Sequence, residues 1–450
     1  MKTFKRMFSA FLALLLVFSL SACGGDKPNS ETYETDYLAG GSDKQISLFG
    51  DLNGKKLRVG DSVAMDKWEE DFYKQLEETT GMKVEIEPLE SAELNAKIAQ
   101  AVASGDTRNY FDVAVVVNST ILNMIYANLI VPMDNYIDRD DPVWKYSYAD
   151  TDIIAPDVYK IDGFIYGAPS HGYHETFIFY NKSYFEEMQA PDPYTEYYLK
   201  DNWTFDTFMD TCKAVTKKNT DGTVDVAAWA TWNYFSFASA AGNDAIAQDE
   251  DGMWDVIIDK PEGMAGLNLL YECAKNGWLY TKTSGYQEFV NRKVAMIIEK
   301  PSSAMGSTNA YERMSDEIGI VPLPKMNKEQ EKYICPLTIS GYAITSCAQN
   351  PGGAAAYIYY HRIAEMQRDE TEWGQKNIRT FLNDEAMERR AEYLTKCDFS
   401  VPMLDGLTGW YSGGGRQQFL DIIIKDQTNP ATAVDSLKPI IKDCLRKTVG

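Results

Sequence analysis

The sequence contains few of the residues that bind transition metals. Among its 450 residues are three His and seven Cys, and no two cysteines have C-x-x-C spacing. Structural zinc sites use Cys and His ligands at short, regular spacings. We therefore expect no zinc cluster, and no motif for another metal or an organic cofactor was found.

Positive charge is also scarce. Lys and Arg number 44 against 66 Asp and Glu, which gives a formal net charge of −22. A field of this sign repels phosphate backbones. Nucleic acid is therefore not an expected partner.

Long apolar runs are absent except at the N-terminus, where Met7 to Leu20 follow Lys2, Lys5 and Arg6. This run is too short for a permanent membrane helix and is typical of a secretory signal. Cleavage after a small residue is one interpretation. The favoured one is that Leu20-Ser-Ala-Cys23 resembles the bacterial lipobox, which implies that Cys23 is lipidated.

The lipobox interpretation divides the N-terminal part of the chain. It predicts a lipoprotein signal peptide over 1–22 and a lipidated tether over 23–54, rich in Gly, Ser, Asp and Glu. Two acyl chains anchor a protein firmly. The expected location is the extracellular face of a bacterial cytoplasmic membrane.

Common catalytic motifs are missing as well. The sequence has no G-x-S-x-G, S-x-x-K or H-E-x-x-H, so the usual serine nucleophile and zinc protease patterns are excluded. With 66 acidic residues, accidental carboxylate pairs are certain. A secreted lipoprotein glycoside hydrolase therefore remains an alternative.

After residue 55 the hydrophobic pattern alternates between that of strands and that of helices. Lys56–Gly60 reads as a strand, and the almost wholly apolar Val113–Val117 reads as a central strand covered on both faces. Further on, Asp259–Gly277 reads as a helix with Pro261 near its start, and Val294–Ile298 and Ile318–Val321 as buried strands. This pattern predicts an open α/β fold, and the length predicts more than one domain.

From about residue 57 to 445 the chain resembles the extracellular solute-binding proteins of ABC importers, in the family that includes maltose-binding protein. Segments matching this family occur in the family's order. They are Gly163–Pro169, Phe177–Phe185, Trp203–Phe208, Trp229–Gly242, Asn291–Ile298, Gly319–Pro324 and Ser340–Thr345.

The resemblance implies a two-lobe periplasmic-binding-protein-like fold, each lobe an open, mostly parallel sheet flanked by helices. Lobe one is expected at 55–168 and 288–323, and lobe two at 175–285 and 330–450. The ligand cleft lies between the lobes, which close on the solute about a hinge. The implied partner is an ABC permease, and the protein is expected to be a monomer without enzymatic activity.

The resemblance and the ends of predicted strands also suggest ligand-binding residues. The aromatic candidates suit the apolar faces of sugar rings, and the polar candidates suit their hydroxyl groups. At two positions the chain departs from the family, with His174 in place of an acidic residue and Ser302 in place of a Trp. The full set is Asp61, Ser119, Thr120, His174, Glu175, Trp229, Trp232, Tyr234, Glu299, Ser302, Trp410 and Tyr411.

Because these loops hold no Arg cluster, a neutral sugar or oligosaccharide is the expected solute. Peptide and polyamine solutes remain open, since both departures fall in the expected pocket. A sugar sensor that partners a membrane kinase is a further alternative. The state of the six cysteines after Cys23 also remains open.

Overall fold

The computed structural model describes residues 38–61, 67–105, 108–145, 159–282, 285–300, 314–369, 384–411 and 413–450. The predicted signal peptide, Cys23 and most of the predicted tether lie outside these residues. In chain order the strands are β1 (Lys56–Asp61), β2 (Lys83–Pro88), β3 (Val113–Val117), β4 (Ile130–Val131), β5 (Lys160–Ile161), β6 (Phe164–Ile165), β7 (Ala168–Glu175), β8 (Phe177–Asn181), β9 (Lys217–Lys218), β10 (Val224–Thr231), β11 (Ile246–Gln248), β12 (Trp254–Val256), β13 (Leu279–Tyr280), β14 (Val294–Glu299), β15 (Ile318–Val321), β16 (Tyr333–Thr345) and β17 (Cys397–Ser400).

Helices connect and cover these strands. They are α1 (Asp43–Ser47), α2 (Lys67–Thr80), α3 (Ser91–Ser104), α4 (Ile121–Tyr126), α5 (Pro142–Lys145), α6 (Lys182–Glu187), α7 (Phe205–Val215), α8 (Ser236–Ala240), α9 (Pro261–Lys275), α10 (Tyr286–Val290), α11 (Pro351–Asp369), α12 (Asp384–Lys396), α13 (Gly415–Leu420) and α14 (Pro430–Val449). In the described part of the chain, none of them is long and apolar enough to cross a membrane.

The first sheet has the strand order β17-β16-β3-β1-β2, with β4 and β7 also pairing with β16. Strand β1 runs parallel to β2 and β3, with Gly60 beside Ala114, whereas β16 is antiparallel to β3. Four of the five β3 residues are buried. The prediction of a central, two-sided apolar strand at Val113–Val117 is thereby confirmed.

The second sheet has the order β13-β10-β14-β8-β15, with β9 pairing with β10. Strands β13, β10 and β14 are parallel, and β8 and β15 are antiparallel to their neighbours. Every residue of β14 is buried. Each sheet is therefore mixed rather than mostly parallel, because its central strand, β3 or β14, has one parallel and one antiparallel neighbour.

Strand pairing corrects the predicted division into lobes. Strands β14 and β15 were expected in lobe one, within 288–323, but both join the second sheet, where Met296 and Gly319 pair with Tyr180. Strand β16, expected in lobe two within 330–450, joins the first sheet. The chain crosses between the sheets several times, and periodicity reports that a strand is buried without reporting which sheet it joins.

The second sheet is covered by helices that the sequence predicted. Helix α9 begins at Pro261, and Gly277, with φ of +72°, follows its end. Proline fits the first turn of a helix, and glycine accepts a left-handed conformation after the last turn. The predicted helix over Asp259–Gly277 is therefore confirmed to within two residues at each end.

The six cysteines of the described residues are all free thiols. Cys212 in α7 and Cys273 in α9 are fully buried in the core. Burial raises the pKa of the Cys212 thiol. A protonated, buried thiol is inert, so these residues act as small apolar side chains in this arrangement.

Candidate functional site

The carboxyl ends of parallel strands lie together in both sheets. In the second sheet Thr231 of β10 pairs with Ile298 of β14, so Trp232 and Lys300 emerge at the same edge. In the first sheet β1 and β3 are parallel neighbours, so Asp61 and Asn118 mark the corresponding edge. Ligand sites in open α/β sheets lie beyond such edges.

A C-terminal segment, residues 402–411, lies against the edge of the first sheet. Asn118 donates through Nδ2 to the Pro402 carbonyl at 2.8 Å, and Asn123 donates to the Gly406 carbonyl. A Cβ at Gly406 would come within 3.0 Å of the Ser119 backbone. Glycine therefore permits this close approach between the segment and the edge.

Tyr411 at the end of this segment also belongs to the edge of the second sheet. The guanidinium of Arg416, near the start of α13, lies 5.4 Å from the Tyr411 ring centroid and 5.6 Å from that of Trp232. Its Nη2 donates to the Trp232 carbonyl at 2.9 Å. The two edges and the C-terminal segment thus converge on one place.

Two aromatic rings are exposed at this place. Trp232 and Tyr411 are each 54% exposed, which is unusual for such large apolar side chains. Tyr234 is half-buried, and its ring centroid lies 5.4 Å from the Arg416 guanidinium. We call Trp232 and Tyr411 the aromatic platform.

Charged side chains border the aromatic platform. Asp405 accepts a hydrogen bond from Trp410 Nε1 at 3.1 Å. Burial raises the pKa of Asp405, an effect opposed by the bonds from Trp410 and Tyr411 and by the charges of Arg416 and Lys300. Burial likewise lowers the pKa of Lys300, and the charges of Glu299 and Asp405 oppose that shift.

This arrangement is suited to holding a ligand with both apolar and polar faces. Exposed rings offer apolar area for stacking, and the neighbouring ammonium and guanidinium groups offer hydrogen-bond donors. Pyranose rings combine an apolar C–H face with hydroxyl groups around their rim. Among the described residues no group of three or more His, Cys, Asp or Glu could hold a metal ion.

Two of the predicted ligand-binding aromatics lie in the core instead. Trp229 is fully buried in β10, and its ring packs edge-on against Phe208 and Phe237. Trp410 is also fully buried and packs against Phe235 and Phe419. The expectation that Trp229 and Trp410 contact the solute is wrong for this arrangement, because both rings are fully enclosed by other aromatic side chains of the core.

The acidic residues predicted to bind the solute instead contact other groups of this chain. Glu175, 1% exposed, forms an ion pair with Arg390 of α12, which corrects its assignment to the ligand. Asp61 lies at the predicted strand end, where it is buried and accepts a hydrogen bond from the Tyr342 hydroxyl. Glu299 is 8% exposed and accepts a hydrogen bond from the Lys300 backbone N–H at 2.9 Å.

The remaining polar candidates have different positions. Ser119 and Thr120 follow β3 at the edge of the first sheet and are partly buried, and the Thr120 hydroxyl bonds with the Val117 backbone. His174 lies in β7 opposite Thr338, and its side chain lies outside what the structure describes. Ser302 lies outside the described residues altogether.

Sequence reasoning missed Lys300, Asp405 and Arg416. Lys300 directly follows a predicted strand and Glu299, so its position could have been found from the strand end. Arg416 directly follows the glycines after Tyr411. No sequence pattern, however, indicated that it would meet Trp232, because that contact exists only in the folded chain.

A sequence model described as bacterial extracellular solute-binding protein matches residues 60–360. A search of curated proteins gave no significant match.

Solved structures give the same fold. An ABC substrate-binding protein from Listeria monocytogenes, in complex with cycloalternan, has a TM-score of 0.63 at 15% identity and covers 88% of this chain and 100% of its own. A cyclo/maltodextrin-binding protein complexed with maltotetraose has a TM-score of 0.64 at 18% identity, with 88% and 98% covered. A cyclic alpha-maltosyl-1,6-maltose binding protein from Arthrobacter globiformis has a TM-score of 0.63 at 14% identity, with 88% and 100% covered.

Proposed function

This chain belongs to the bacterial extracellular solute-binding proteins, and we propose that it captures a sugar or oligosaccharide for an ABC importer. The observation that carries the proposal is the aromatic platform, two rings that are each 54% exposed beside the carboxyl end of strand β10. Stacking on such rings suits pyranose faces. The solutes in the structures of similar fold, cycloalternan and maltotetraose, are of the same chemical class.

Binding would use both lobes. Pockets between domains bury most of a ligand when the domains close, and the segment 402–411 already contacts the edge of the first sheet. A closed, solute-filled form is the form that a membrane permease would receive. We propose no catalytic role for these residues.

A thermal-shift screen followed by calorimetry tests this function. A saccharide that binds the folded state at 100 times its Kd should raise the free energy of unfolding by about 2.7 kcal/mol. Trp232→Ala should weaken the binding of the same saccharide. Binding of amino acids or peptides in place of every saccharide would contradict the proposal, and steady turnover of a bound glycan would favour the hydrolase alternative.

We also propose that the protein is anchored to the membrane through Cys23. The sequence Leu20-Ser-Ala-Cys23 and the short apolar run before it support this. Cys23→Ala should remove the lipid and either block cleavage or release the protein into the medium. If a processed Cys23→Ala variant still fractionates with membranes, as the lipidated wild-type protein would, the proposed anchor is contradicted.

A further inference from the structure

The aromatic platform is assembled from two distant parts of the chain. Trp232 directly follows β10, and Tyr411 is the last residue of the segment 402–411, which contacts the first sheet. More than half of each side chain is exposed, so packing alone does not fix the two rings. An additional contact is therefore needed to keep the two rings together.

Arg416 provides that contact. Its guanidinium lies 5.4–5.6 Å from the ring centroids of Trp232, Tyr234 and Tyr411, within the range of a cation–π interaction. Its Nη2 also bonds with the Trp232 carbonyl at 2.9 Å. The planar guanidinium can stack and donate hydrogen bonds at once, which an ammonium group cannot do as well.

Asp405 contacts the aromatic platform at Tyr411. It accepts from Trp410 Nε1 at 3.1 Å and also bonds with Tyr411. Burial, together with the Asp405 charge, raises the pKa of Tyr411 to about 12. The Tyr411 hydroxyl therefore remains protonated and can donate to this carboxylate.

Lys300 adds a donor to the same site. Lys300 directly follows β14, which pairs in parallel with β10, so it emerges at the same edge of the sheet as Trp232. Burial there lowers the pKa of its ammonium group. The Asp405 charge acts on both Lys300 and Arg416. A partly desolvated ammonium group gains more from an acceptor oxygen than a fully hydrated one does.

We propose that Arg416 is the positioning residue that holds Trp232 and Tyr411 in one platform, and that Lys300 determines specificity by donating to an oxygen of the bound saccharide. This inference rests on the proposed saccharide-binding function. That oxygen is either a hydroxyl of a neutral sugar or a carboxylate oxygen of a uronic acid. Asp405 is the second positioning residue.

Calorimetry on Arg416 variants tests the positioning role. Arg416→Met should weaken the wild-type protein's best saccharide about ten-fold, and Arg416→Lys should recover only part of the loss, because the planar group is absent. Tryptophan fluorescence should change less on saccharide binding in Arg416→Met, since Trp232 is no longer fixed. Arg446→Met is the control, because Arg446 pairs with Asp443 on the exposed face of α14.

Calorimetry on Lys300→Met tests the specificity role with matched neutral and uronate oligosaccharides. If Lys300→Met loses affinity for neutral saccharides, Lys300 donates to a hydroxyl group. If the loss is confined to uronates, Lys300 donates to a carboxylate. Wild-type affinity for both classes in Lys300→Met would overturn that role, and full affinity and fluorescence response in Arg416→Met would overturn the positioning role. If the wild-type protein binds no saccharide, it is the proposed function that fails.

Discussion

At the residue scale, neighbouring aromatics have opposite environments. Trp410 is fully buried while Tyr411 is 54% exposed, and Trp229 is fully buried while Trp232 is 54% exposed. Within each pair, both residues are large aromatics a few positions apart, so the sequence does not distinguish the buried ring from the exposed one. The difference arises from what each ring contacts in the folded chain.

The pair Trp410 and Tyr411 gives a direct prediction. Trp410→Ala should lower the free energy of unfolding by about 3–5 kcal/mol, because it removes a large buried side chain. Tyr411→Ala should lower it by only about 1 kcal/mol, the effect of losing the hydrogen bond to Asp405, and should weaken saccharide binding by about 1–3 kcal/mol, the range of an aromatic anchor. Urea unfolding and calorimetry on both variants check this, and the reverse assignment of effects would contradict it.

The ion pair of Glu175 gives a second prediction. Glu175→Gln should lower the free energy of unfolding by about 3 kcal/mol, because it leaves Arg390 without its buried carboxylate partner. Saccharide affinity should not change, since Glu175 is 1% exposed.

The control for Glu175→Gln is Glu196→Gln. Glu196 pairs with Lys200, and both side chains are more than half exposed, so the expected loss of stability is below about 1 kcal/mol. Weaker saccharide binding by a stably folded Glu175→Gln variant would restore Glu175 as a candidate ligand residue.

At the scale of elements, packing between α8 and α9 positions the platform. Gly266 of α9 lies so close to α8 that an added Cβ would come within 2.5 Å of the Ala238 backbone nitrogen. Helix α8 begins at Ser236, a few residues after Trp232. The position of the loop that carries Trp232 therefore depends on this helix contact.

Gly266→Ala should lower the free energy of unfolding by about 1–3 kcal/mol through overpacking. It should also weaken saccharide binding, because α8 must move. Asn268→Ala is the control, since Asn268 is exposed on the same helix. Alanine alone favours a helix by about 1 kcal/mol over glycine, so a more stable Gly266→Ala variant would show that the helices are not in close contact.

At the scale of the whole molecule, hydrogen bonds that do not involve the aromatic platform join distant parts of the chain. Tyr126 accepts from Trp254 Nε1 at 2.8 Å and donates to Asp162 at 3.0 Å. Gln248 Nε2 donates to Asp162 at 2.5 Å. Tyr126 and Asp162 fall in the range expected for lobe one. Gln248 and Trp254, on the β11–β12 hairpin, fall in the range expected for lobe two.

These bonds occur together with an exposed platform, so we expect them to stabilise the open arrangement. Gln248→Ala should then favour closure and tighten saccharide binding about five-fold, the effect of one hydrogen bond. Small-angle scattering should show a smaller radius of gyration on adding saccharide to the wild-type protein. Gln417→Ala is the control, because Gln417 bonds with Asp421 within its own lobe. Unchanged affinity in Gln248→Ala, with no compaction in either protein, would contradict the hinge.

The sequence by itself determined the fold class and most of the buried elements. Apolar runs such as Val113–Val117 and Val294–Ile298 correctly predicted covered strands, and Pro261 and Gly277 marked the ends of a helix. These features depend on local backbone preferences and on side-chain polarity. Both are properties of short stretches of sequence.

The tertiary structure alone decided which sheet each strand joined and which residues met at the site. Strand β16 pairs with β3, and Arg416 meets Trp232, through contacts between residues far apart in the chain. It also decided that Trp410 is buried and Tyr411 is exposed. Such contacts depend on how the chain crosses between the lobes and on how closely the helices pack, which no short stretch of sequence specifies.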